Sequence, residues 1–253
     1  MKTPDMKNIL VIGDSCKDVF VYCHAQRLAP DLPVPILDVE EETENPGMAM
    51  NVYRNISAIH AAGCDVITNT EWEKVTKTRY VHNKTNHTFI RIDSQHPVTR
   101  IYLDEIPLDE FDVVVISDYN KGFLTEEDIQ YICENHPCVF IDTKKPLGPW
   151  AQKARFIKIN DYEYNRSKPT LTPELEEKII RTVGDEGAYY KGNHYPVSEK
   201  VEVKDATGAG DSFYAALVVQ YAETGDIEEA IRFANECARR AVAHKGVSVI
   251  KRP

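Results

Sequence analysis

The stretch Lys204–Gln220, KDATGAGDSFYAALVVQ, decides how this chain reads. It puts two glycines and an aspartate at the mouth of an apolar helix. Glycine loses more backbone freedom on folding than any other residue, and a plain strand-to-helix connection needs only one cap, which Thr207 or Asp211 would supply. A helix N-terminus carries unpaired N–H groups and a partial positive charge. Glycines there let an anion approach the backbone. A carboxylate beside such a site repels phosphate unless it has a task, such as taking a proton from a hydroxyl that attacks phosphorus. The blander reading is a tight turn with Asp211 as a first-turn acid. No Gly-Lys-Ser/Thr follows, so this is not a Walker A loop.

Outward from that stretch, the chain alternates strands and helices. NILVIGD (8–14), FDVVVISDY (111–119), CVFID (138–142) and RFIKIN (155–160) are short apolar runs suited to buried parallel strands. LTEEDIQYICENH reads as a helix, with Thr125 and Asp128 close to a capping box. This alternation predicts an α/β fold with a parallel sheet. Two segments differ. Residues 20–47 carry alternating patches and several prolines, and 76–93 reads as a hairpin around NKTN; together they predict a small antiparallel sheet beside the core. After Gly210, Phe213, Ala216, Leu217 and Tyr221 keep helical spacing up to Gly225. A second helix begins at Asp226, with Glu229 completing a capping-box-like start, and Gly246 stops it. No internal repeat or flexible linker interrupts the 253 residues.

The net charge of −10 argues against a nucleic-acid partner. No apolar run is long enough to cross a membrane, and the N-terminus lacks a secretory pattern. The six cysteines form no C-x-x-C pair. A cytoplasmic protein with reduced thiols is the expectation.

DATGAGDSF (205–213) resembles the most specific signature of the ribokinase-like (PfkB) carbohydrate kinases. The resemblance implies a three-layer parallel-sheet core with a small antiparallel β lid, one domain over 1–253 with lid segments about 20–46 and 76–103. It implies ATP and Mg2+ as cofactors. It makes Asp211 the catalytic base and the amides of Gly208, Ala209 and Gly210 the anion hole. INDYE matches N-x-x-E, which assigns Asn160 and Glu163 to phosphates and magnesium. TVGDEGA places Thr182, Gly184 and Gly187 near the nucleotide. FANECARRAVAHKG places Asn235 and Gly246 near the base, although Asn235 equally fits a solvated helix position. Asp205 and Thr207 match positions that hold a monovalent cation such as K+ in some members.

On the acceptor side, GDSCKD places Asp18, with Asp14 nearby, against sugar hydroxyls. Carboxylates suit that task because each accepts from two hydroxyls. NPGMAMN matches the family's glycine-pair motif through Gly47 and Asn51, but Met48 replaces the second glycine. The chain lacks segments after Asn51 and between Glu163 and Thr182, so it reads as a pared-down member. GD…D, RLAPDLPVP, FIRID and SDYNKG are most similar to the kinases of ADP-heptose synthesis. Those enzymes act on the anomeric hydroxyl of a heptose 7-phosphate, whose remote phosphate needs a basic anchor; Arg91, Lys121 and Lys84 are candidates, each otherwise a solvated charge. No H-x-G-H of a fused nucleotidyltransferase occurs. The resemblance also implies pairing through the lid into a homodimer. A kinase for another sugar or a nucleoside, and a non-catalytic sugar- or nucleotide-binding relative, stay open at this point.

Overall fold

The computed structural model describes residues 7–94, 96–244 and 246–252. Twelve strands and six α-helices follow in the order β1 (Ile9–Gly13), β2 (Ser15–Leu28), β3 (Pro35–Met48), α1 (Ala49–Ile59), β4 (Cys64–Thr68), β5 (Thr76–His82), β6 (Thr88–Asp93), β7 (Val113–Asp118), α2 (Glu126–Asn135), β8 (Val139–Thr143), β9 (Phe156–Asn160), α3 (Asp161–Ser167), α4 (Pro173–Glu176), β10 (Ile179–Thr182), β11 (Ala188–Tyr190), β12 (Asn193–Tyr195), α5 (Ala209–Thr224) and α6 (Ile227–Val242). The main sheet runs β12-β11-β10-β9-β8-β7-β1-β4. Its six central and far strands pair in parallel, while β11 and β12 add an antiparallel hairpin at one edge.

Alternation along the strands builds the three layers. Ile9 and Val11 of β1 face a core shared with Val52, Ile56, Leu217 and Ile231 of α1, α5 and α6. Leu10 and Ile12 face the opposite core, with Ile129 and Ile132 of α2 and Trp150. Strands buried on both faces read as continuous apolar runs, as the sequence has them. The strand ends at Gly13, Asp118, Thr143 and Asn160 are therefore gathered along one rim, where open parallel sheets place their ligands.

The second sheet, β3-β2-β5-β6, is the lid. It is mixed rather than wholly antiparallel: β2–β3 and β5–β6 are antiparallel, but β2 and β5 run parallel. Its strands cover 15–48 and 76–93, so the lid starts five residues earlier and ends earlier than the sequence predicts. Residues 97–103 leave it to pack on the core, where Ile101 is buried and donates its N–H to Phe123 O.

The helix signals hold with two differences. Thr125 and Asp128 form the capping box of α2. Asp226 caps α6 by accepting from the N–H groups of Glu228 and Glu229, but Glu229 turns away to Gln220 and Thr224 takes the Asp226 N–H. Helix α6 ends at Val242, short of Gly246. Among the described residues no helix is long and apolar enough to cross a membrane.

Candidate functional site

Helix α5 opens from Gly208, which has a left-handed backbone (φ 78°). A Cβ there would stand 3.1 Å from Asn51 Nδ2, and one on Gly210 would stand 3.2 Å from Lys158 Nζ. The first glycine is thus set by backbone and by a close neighbour, the second by an ammonium lying against the loop. Asp211, in the first helical turn, is buried. Its Oδ2 accepts from Asn51 Nδ2 at 2.9 Å and its Oδ1 from the Tyr119 hydroxyl at 2.6 Å. Burial pushes its carboxyl above the usual carboxylate value, against these hydrogen bonds and Lys158, which pull it down. Such a group is suited to take up a proton. Asn51 is itself fixed by Asn55, which bonds its Oδ1 and its carbonyl.

Of the three amides expected to form an anion hole, one is already engaged. The Ala209 N–H already donates to Ala206 O at 3.2 Å, so Ala209 does not offer its amide to a ligand in this form. Gly208 and Gly210 keep theirs, with the Lys158 ammonium alongside.

On one side of α5 lies a cavity of about 330 Å3. Thr182, Gly184, Gly187 and Asn235 line it, and it ends at Ala209 and Gly210. Four residues assigned to the nucleotide from sequence therefore share one cavity that leads to the glycine loop. Its walls include Val197, Val201, Val203 and Phe213, apolar surface of the kind that packs a base. Asn235 is not a solvated residue: it is buried and donates to Tyr195 O at 2.8 Å. Gly187 owes its place to the turn into β11, since φ is 101° and a Cβ would collide with Tyr195 O. Gly246 lies outside the cavity lining; its N–H donates to Asp205 Oδ2 at 3.2 Å. Asp205 Oδ1 accepts from the Thr207 N–H at 2.8 Å, so Asp205 ties the loop before α5 to the loop after α6.

Asn160 and Glu163 form the reciprocal cap of α3. Glu163 Oε2 accepts the Asn160 N–H at 2.9 Å, and Oε1 is ion-paired with Lys144. Beside them Asp142 is paired with Lys158 at 2.7 Å, both nearly fully buried. Burial raises the Asp142 carboxyl, but Lys158 and Lys144 outweigh it and the net direction is down. Burial lowers the Lys144 ammonium, and Asp142 and Glu163 nevertheless hold it up at about 12. Among the described residues no group of three His, Cys, Asp or Glu is arranged to cage a metal. Asp142 Oδ1 is buried without a hydrogen-bond partner, and Glu163 is adjacent through Lys144. That donor set fits magnesium borne on phosphates, touched by one or two carboxylates.

On the other side of α5 lies the lid. Asp18 pairs with Arg79 at 2.6 Å. A Cβ on Gly47 would collide with Asp18 Oδ2, which explains the first glycine of the motif. Met48 holds φ 59° and ψ −131°, a conformation suited to glycine. It is buried against Cys16, Val75 and Tyr119. Lys77 and Arg79 alternate on β5, and Arg91 of β6 is directly opposite Arg79. Lys77 has no ion pair among the described residues; burial pulls its ammonium down, and Asp18 and Asp211 are among the charges that hold it up. Lys121 is close enough to oppose its charge. A cationic patch thus stands beside Asp18 and Asp211.

Two sequence assignments fail on this side. Asp14 is fully buried, with Oδ2 accepting from the N–H groups of Tyr119 and Lys121 and Oδ1 from Phe123 N–H. It pins the 119–123 loop and is not available to a sugar. Lys84 sits in the hairpin tip, close to Glu40, on the stretch where Asn86 bonds Lys204 O; it is away from Asp18. Arg91 is half exposed and engaged by Asp93. Sequence reading missed Tyr119, Lys77, Arg79, Lys144, Asp142 and Lys158. The quoted SDYNKG and FIKIN runs contain Tyr119 and Lys158, and the lid hairpin contains Lys77 and Arg79.

The sequence profile of the pfkB family carbohydrate kinases matches residues 108–252. The bifunctional protein HldE of Helicobacter pylori strain J99 is 29% identical over 297 aligned positions, covering 95% of this chain and 64% of that protein. HldE of Nitratiruptor is 30% identical, covering 95% and 62%. This chain thus spans under two thirds of those relatives, and the 297-position alignment is longer than the whole 253-residue chain, so they carry segments that it lacks. Ribokinase from Thermotoga maritima superposes with a TM-score of 0.73 at 20% identity, covering 97% of this chain and 96% of that one. Escherichia coli phosphofructokinase-2, in a potassium complex, gives 0.68 at 15%, covering 95% and 94%.

Proposed function

This chain belongs to the pfkB family of carbohydrate kinases, ATP-dependent sugar kinases, and from that premise we propose that it phosphorylates the anomeric hydroxyl of a heptose 7-phosphate with Asp211 as general base. The observation that carries the reading is the position of Asp211. It is buried at the start of α5, between the cavity that ends at Gly210 and the lid with its cationic patch. A base placed between a nucleotide cavity and an acceptor pocket is what in-line transfer to a hydroxyl requires.

In this reading Asp18 accepts from acceptor hydroxyls while Arg79 fixes its orientation, and Lys77, Arg91 and Lys121 hold the remote phosphate. Asn51 and Tyr119 aim the Asp211 carboxylate, which takes the proton of the attacking hydroxyl. The amides of Gly208 and Gly210 and the Lys158 ammonium face the charge that spreads over the transferring group. Glu163 and Asp142 are the carboxylates that would stand by magnesium, which would neutralise phosphate charge when bound with the nucleotide, and Lys144, ion-paired with Glu163, adds positive charge beside them. Asp205 and Thr207 frame the place for a monovalent cation such as K+, which replacing K+ by a bulky organic cation in the assay tests. The lid excludes water from the transfer. Its exposed Leu28, Leu32, Val34, Val39, Ile90 and Ile92 support pairing of two copies through it, and a cytoplasmic setting belongs to the same reading.

The test is ADP release from ATP and magnesium over a panel of sugars and sugar phosphates, run beside Asp211→Asn. Turnover on heptose 7-phosphate that vanishes in the variant supports reaction and base together. Turnover on another sugar keeps the base and moves the substrate. ATP binding without turnover on any sugar favours a binding protein.

A further inference from the structure

The Asp211 carboxylate has two donors, Asn51 and Tyr119, and the sequence reading gives a role only to Asn51. We propose that Tyr119 is a positioning residue of the reaction, its hydroxyl holding Asp211 ionised and turned toward the acceptor. This rests on Asp211 being the base.

Four observations carry it. The Tyr119 hydroxyl donates to Asp211 Oδ1 at 2.6 Å, short enough for a charge-assisted bond. Asn51 takes the other oxygen, so the pair fixes the plane of the carboxylate, while each oxygen keeps a lone pair for an incoming proton. Tyr119 is clamped: its backbone N–H donates to Asp14, its ring packs with Met48 and Cys16, and the ammonium groups of Lys77 and Lys144 stand 4.8 and 5.1 Å from the ring centroid. The phenol makes no other hydrogen bond among the described residues, so packing alone would be served by phenylalanine.

The charged and titratable groups around Asp211 come from three sides. Asp142, Lys144 and Lys158 face it from the ends of β8 and β9, and Lys77 and Cys16 from the lid. Burial holds the Cys16 thiol up at about 12, so it stays neutral through the working range. Tyr119→Phe keeps the ring on which the Lys77 and Lys144 ammonium groups rest and removes only the hydroxyl, which isolates its contribution.

The experiment is the titration of the Asp211 carboxylate by infrared difference spectroscopy on the ligand-free chain, its band identified by loss in Asp211→Asn, together with the pH profile of kcat on whichever panel sugar turns over. Tyr119→Phe is expected to raise the carboxylate midpoint and the acidic limb of kcat by about one pH unit, with ATP affinity unchanged. Fluorotyrosine at position 119, a stronger donor of the same shape, is expected to move both the other way. A midpoint unchanged in both substituted proteins overturns the proposal, as does a loss of kcat that is equal at every pH. If Asp211→Asn keeps its turnover, the base reading falls first; if it is inactive while the Tyr119 midpoints do not move, only the role of Tyr119 falls.

Discussion

Asn51 Nδ2 and Asp211 Oδ2 are 2.9 Å apart across 160 residues of sequence. The bond joins the first turn of α1 to the first turn of α5. Asn55, one turn along α1, holds Asn51 and accepts the Ile250 N–H near the C-terminus. The position of the proposed base therefore depends on where α1 begins, and α1 begins at Ala49, directly after the N-cap residue Met48.

Asp211→Asn removes the proposed proton acceptor while keeping the shape. Turnover is expected to fall by about 10^2–10^4-fold, with nucleotide affinity retained because the cavity lies beyond Gly210. Since burial raises the Asp211 carboxyl, the parent should lose activity, as pH falls, above the ordinary carboxylate range. Steady-state rates and a nucleotide titration check both statements.

Met48→Gly relaxes a backbone that prefers glycine, worth about 1–3 kcal/mol, but it also empties a buried side-chain site, which costs about as much. Stability should change little while space opens beside Cys16, Val75 and Tyr119, next to the proposed acceptor site. Expected is an altered ranking of sugars on the panel; an identical ranking counts against Met48 as a determinant.

Lys77→Met removes a half-buried cation that makes no ion pair among the described residues. KM for a phosphorylated acceptor should rise about tenfold or more, while KM for ATP holds. Comparing each sugar with its phosphate separates an anchoring role from general damage to the lid.

Lys158→Met leaves Asp142 buried with only Lys144, 3.8 Å away. Breaking a buried pair on one side costs about 3–5 kcal/mol, readable in a denaturant melt. The Asp142 carboxyl is depressed in the fold, so its contribution is present above the unfolded carboxylate value and is lost as pH falls through the folded one. The variant's deficit should accordingly shrink in acid.

Legibility followed locality. The TGAGD turn, the α2 cap and the lid hairpin (76–93) are each one short continuous stretch, where spacing carries the geometry. Asn51 and Asp211 were both named because each sits in a motif. Tyr119, Lys77, Lys144, Asp142 and Lys158 come from separate strand ends and the lid, and only the sheet order brings them together. Asp14 misled because a buried acid that caps a loop looks, in sequence, like one that holds a sugar. The β11–β12 hairpin, three residues per strand, is too short for alternation to show.

Strand β2 leaves β1 across Asp14 alone, and Asp14 is the residue whose carboxylate takes three backbone N–H groups. The root of the lid is therefore cemented to the core. Further out, the β2–β3 ladder slips register at Tyr22/Cys23 and at His24/Arg27, where a ribbon yields most easily. The lid is a canopy bent in its outer half and moored at its foot, where the Asp14 carboxylate grips the 119–123 loop.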